Sequence, residues 1–128
     1  MTVKFLCDAH REMLNDDPGK AINAWQDSFD RGRALYDEKQ WRQALPFLGS
    51  AYEAACIIMA SRTIERDNAY ELLTTSVVLV ANAFAMLGYE AESRKIYSLT
   101  IYRLEQEQCN AGKSVCVLIN ILGTFIVI

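Results

Sequence analysis

Apolar residues recur along this chain at steps of three and four, and strict alternation is absent before the last ten residues. That period is the mark of amphipathic helices. It predicts a first helix over about 3–14, capped by Thr2, with Phe5, Leu6, Ala9 and Met13 as its stripe. The NDDPG turn at 15–19 follows. Asp17 is placed to cap the next helix, and Pro18 falls at its first position, where a missing N–H costs nothing. A second helix over about 20–38 carries Ile22, Trp25, Phe29, Gly32 and Tyr36. A third, over about 41–61, carries Trp41, Ala44, Leu45, Leu48, Ala51 and Ala55, then Ile58 or Met59. Pro46 interrupts this third pattern and predicts a kink or a late start.

A polar loop is expected over 61–68. A fourth helix over about 69–87 turns Leu73, Val77, Val80, Phe84 and Leu87 inward, and Gly88 stops it as a C-cap. A fifth over about 91–108 buries Ile96, Tyr97, Thr100, Ile101 and Leu104. A loop at 109–113 leads to a charge-free apolar stretch at 114–128. That stretch is read as a sixth helix, although its β-branched run leaves a strand open. It is too short to be read as a membrane span, which needs about 20 residues.

Two segments align at an offset of 49 residues. Gly32, Leu35, Trp41, Ala44, Leu48 and Ala51 keep the same spacing as Ala81, Phe84, Glu90, Ser93, Tyr97 and Thr100. Small residues fall where two helices of a hairpin must approach, and large ones where the hairpin fills its own core. This pattern resembles the tetratricopeptide repeat, over about residues 25–108. Gly88 matches the turn glycine of that family, and Lys39 replaces it in the first unit. The offset exceeds the 34-residue unit of the family, the bulky residue near each unit start is Ser28 or Val77, and the terminal proline is missing from both units.

The resemblance implies an all-α chain of antiparallel helical hairpins, stacked as a short right-handed array with flanking helices. The expected organisation is a single domain. It has an N-terminal helix at 3–14, hairpins at 20–61 and 67–108, and an apolar C-terminal helix at 113–128. Two units are fewer than the three that usually make a stable stack, so the terminal helices are expected to cap it. The C-terminal one has almost no polar face, so it would either cap the array or pair with a second copy of the chain.

The 128 residues are 52% apolar, enough for one packed domain. A net charge of −3 argues against a nucleic-acid interface and a polybasic membrane helix. The N-terminal residues mix charges and show no cleavable leader. Cys7, Cys56, Cys109 and Cys116 form no CxxC pair and suit a reducing compartment. The expected location is therefore cytoplasmic.

Little in the chain points to chemistry. His10 is the only histidine, and with Cys7 it supplies two metal ligands where a structural zinc site needs four. Asp16 and Asp17 lack the oxygen array of a calcium loop and read better as caps. The GKS triplet at 112–114 would need glycine at Glu107 to end a phosphate loop. The acidic pairs Asp37–Glu38 and Glu90–Glu92 read as solvated helix ends. No carboxylate is read as standing alone in an apolar stripe, where a raised pKa would be expected. The expectation is a protein without a catalytic site, metal or cofactor.

In the resembled family the first helix of each hairpin lines a concave, partner-binding face. Carried over, that face comprises Gln26, Phe29, Arg33, Tyr36 and Asp37, with Thr75, Val78, Asn82, Ala85 and Met86. Phe29 reads equally well as core. The function this implies is a scaffold or adaptor for a protein or peptide. The alternative is a homo-oligomeric assembly subunit, such as a homodimer, or a small secretion-type chaperone. Its interface would be the C-terminal segment through Val115, Leu118, Ile119, Leu122 and Phe125.

Overall fold

Five helices fill the computed structural model, which describes residues 5–62 and 64–111; among those residues there is no strand. They are α1 (Asp8–Asp16), α2 (Pro18–Asp37), α3 (Trp41–Ser61), α4 (Arg66–Met86) and α5 (Glu90–Ala111). The fold is all-α.

The N-terminus departs from its period. Phe5 and Leu6 lie ahead of α1, and Cys7 rather than Thr2 is the N-cap residue. Ala9 and Met13 are exposed, and Leu14 is the residue of α1 that is buried. The reason lies in α3. The Leu6 N–H donates to Glu53 at 2.5 Å, and the Arg11 guanidinium donates to the same carboxylate at 2.8 Å. A Leu6 amide bound this way is withdrawn from the helix ladder. The Phe5 ring lies directly over the backbone of Gly49, where a Cβ would collide with it.

Asp17 caps α2 as its sequence position predicts, accepting from the Gly19 and Lys20 amides at 3.1 and 3.4 Å. Pro46 does not delay α3: the helix begins at Trp41, and the Ala44 N–H already bonds the Gln40 carbonyl at 2.9 Å. α4 begins three residues earlier than its apolar period suggests, at Arg66.

The α2–α3 and α4–α5 connections are built alike. In the first, the Lys39 amide donates to Tyr36 O at 2.9 Å, and the Gln40 amide to Leu35 O at 2.9 Å. In the second, the Gly88 amide donates to Ala85 O at 3.0 Å, and the Tyr89 amide to Phe84 O at 2.9 Å. Both are Schellman ends, in which a left-handed residue lets two amides reach back over the last turn. Lys39 has φ 62° and Gly88 has φ 88°. Each turn is followed by a helix whose first amide bond returns to the turn: Ala44 to Gln40, and Ser93 to Tyr89.

The core repeats in the same register. Gly32 and Ala81, Ala44 and Ser93, Leu48 and Tyr97, and Ala51 and Thr100 are all buried. A Cβ on Gly32 would stand 2.7 Å from Leu48 Cδ2, so the small residue is what lets α2 lie close to α3. Leu48, Ile58, Leu73, Val77, Ile96 and Leu104 are among the fully buried residues that fill the interior. Each contributes roughly 1.5–3 kcal/mol by leaving water.

By length and composition alone, α3 and α4 are apolar enough to cross a membrane. More than half of the apolar stretch of α3 and half of that of α4 are buried inside the protein.

Candidate functional site

Two side-chain bonds tie α2 to α4. Trp25 Nε1 donates to Ser76 Oγ at 2.7 Å in the interior, and Asn82 Nδ2 donates to Tyr36 Oη at 3.2 Å nearer the surface. Partners advance together along both helices, so α2 and α4 run side by side in the same direction. This places the α2 and α4 halves of the predicted binding face next to each other.

Within that face the residues divide. Phe29, Tyr36 and Val78 are half-buried and pack against the core. Phe29 stacks on Trp25 with ring centroids 4.7 Å apart, and Tyr36 and Trp41 pack edge to face with centroids 5.0 Å apart. Asn82 is half-buried as well. Gln26, Arg33, Asp37, Thr75, Ala85 and Met86 are exposed, Met86 at 60%. Gln26 donates to Asp30 at 3.0 Å, and Arg33 pairs with Asp37 at 3.2 Å, one turn on in each case. A pair this exposed contributes only about 0.3–0.5 kcal/mol. Arg33 and Asp37 can therefore exchange each other for a partner's charges at little cost.

The other predicted interface, Val115, Leu118, Ile119, Leu122 and Phe125, lies outside the described residues. Cys7 Sγ accepts from the His10 backbone N–H at 3.4 Å, a weak cap. Among the described residues no group of three or more His, Cys, Asp or Glu side chains is placed to hold a metal ion.

Glu53 corrects the reading that no carboxylate stands alone in an apolar stripe. Its side chain is 11% exposed and forms the anchor for Leu6 and Arg11. The signal was present, since Glu53 is the one charged residue between positions 45 and 60.

Tyr52 and Cys56 flank Glu53 on α3. Burial pushes the Cys56 thiol up to about 11, against a smaller opposing pull from Arg103. Tyr52 is also raised, by burial first and then by Cys56; its hydroxyl shares a hydrogen bond with Thr100 Oγ1 at 3.1 Å. Tyr97 is raised by burial and then by its neighbour Tyr36. All three groups are neutral at physiological pH and are poor candidates for acid–base work there.

No protein-family model matches the chain, and no curated protein or solved structure matches it significantly.

Proposed function

We propose that this chain is a helical-hairpin binding module that holds a peptide segment of a partner protein across the α2–α4 face. One observation carries the reading: α2 and α4 run parallel and adjacent, each leading into an identical turn and a second helix 49 residues apart in the chain. That is the relation between first helices in the tetratricopeptide arrangement which the spacing resembles. The face offers an aromatic floor in Phe29 and Tyr36, exchangeable charges at Arg33 and Asp37, an amide at Asn82 and an apolar side chain at Met86. Aromatic, Met and Arg side chains are enriched in interfaces. Such a module needs no cofactor and works in the cytoplasm.

Photo-crosslinking tests it. A photoreactive residue at Met86 is expected to capture a defined partner, and the same residue at Glu105 on α5 is not. The Arg33→Glu/Asn82→Ala variant should lose that partner while its circular dichroism spectrum and a cooperative melt show that it is still folded. Undiminished capture by this variant, or equal capture from Glu105, would sink the reading.

A further inference from the structure

A cavity of about 380 Å³ lies between α1, α3 and α5 and shares no residue with the α2–α4 face. That volume falls within the range of roughly 300–1,000 Å³ that accommodates small organic ligands. Ile57, Ile96 and Leu99 supply apolar walls, and Ala60 forms an exposed edge.

The polar groups around it are unevenly committed. Arg11 is held by Glu53 at 2.8 Å and Asp8 at 3.6 Å. Glu53 also accepts from Leu6, and Tyr52 is bonded to Thr100. Arg103 differs: it lines the cavity, and among the described residues no carboxylate forms an ion pair with it. It lines the cavity together with Tyr52 and Cys56.

An unpaired guanidinium beside apolar walls suits an anion with a hydrocarbon body. A carboxylate can take two parallel N–H bonds from Arg. A peptide suits the cavity poorly. Its main-chain amides would need partners once desolvated, and Arg103 and Asn15 are the lining polar side chains left uncommitted.

We propose that this cavity binds an aliphatic monocarboxylate, with its carboxylate on Arg103 and its hydrocarbon chain over Ile57, Ile96 and Leu99. The site uses no residue of the α2–α4 face, so its failure would leave the peptide-binding reading standing.

Calorimetric titration of the full chain with octanoate tests it, with octanol and octyltrimethylammonium as comparators. Octanoate should saturate at one per chain, octanol should bind roughly tenfold or more weakly, and the cation should not bind, since charge-assisted bonds are the stronger ones. Arg103→Gln should erase the preference for octanoate over octanol. Ala60→Trp, at the exposed edge, should abolish binding of both. Melts followed by circular dichroism show whether each variant is folded. Equal affinity for octanoate and octanol overturns the proposal. So does octanoate binding that is unchanged in either folded variant, or an absence of saturation at millimolar octanoate. Tighter binding of acetyl-leucyl-leucine amide than of octanoate would assign the cavity to peptide instead, and overturn it too.

Discussion

Lys39 and Gly88 occupy the same place in two turns of the same hydrogen-bonded form, and both are left-handed, at φ 62° and 88°. Gly88 adopts that conformation freely, whereas a side chain makes it costly by roughly 1–2 kcal/mol. Nothing lies within 4 Å of a Cβ built at Gly88, so its effect is purely conformational. Lys39→Gly is therefore expected to stabilise the protein by about 1 kcal/mol, and Gly88→Ala to destabilise it by about the same. Urea midpoints measure both, and a Lys39→Gly variant that unfolds earlier would contradict the account.

The Trp25–Ser76 bond is buried, at 2.7 Å. Ser76→Ala would leave the indole N–H without its acceptor, at a cost of about 1–3 kcal/mol. A double-mutant cycle with Trp25→Phe should show a coupling well above that of an exposed pair, because Phe has no donor to orphan.

Gly49 is the seat of the Phe5 ring. Gly49→Ala should cost about 1–3 kcal/mol by overpacking. In a Phe5→Ala background the same change should cost far less, because the obstructing ring is gone. Equal costs in the two backgrounds would show that Phe5 does not rest there.

Cys56 and Cys7 should react very differently. Cys7 is exposed, whereas the Cys56 thiol is raised from 9.0 to about 11. Two units leave roughly a hundredfold less thiolate at pH 8. Iodoacetamide should label Cys7 in the native protein and Cys56 only after unfolding, as peptide mass mapping would show. The same shift sets a pH dependence. The unfolded thiol loses its proton first, so stability is complete below pH 9 and falls as pH rises toward 11. Cys56→Ala should flatten part of that fall, with raised Tyr52 supplying another part.

Helices α2 to α5 were legible because their burial follows from local period, and Gly88 marks its turn by composition. The Lys39 turn carries no such mark. It appears only through alignment with the Gly88 turn, since tertiary packing holds a lysine where glycine would be easier. Phe5 and Leu6 have helical spacing, yet a glycine and a carboxylate on α3 hold them outside the helix. Period cannot register a partner 47 residues away. Of the candidate face, the helices and register were readable. The Tyr36–Asn82 bond was not, because a polar pairing between two helices leaves no trace in spacing, whereas the stacking of Phe29 on Trp25, one turn apart on α2, follows from it.

Glu53 also bears on how the chain assembles as it is made. Phe5 and Leu6 are synthesised before the helices, but their seat at Gly49 and Glu53 does not exist until α3 has been translated. At about 5–20 residues per second, 47 residues correspond to a wait of roughly 2–10 s. During that interval two large apolar side chains have no native place to go. The earliest described part of the chain is therefore dependent on later residues, and it closes over the back of α3 only when that helix has emerged.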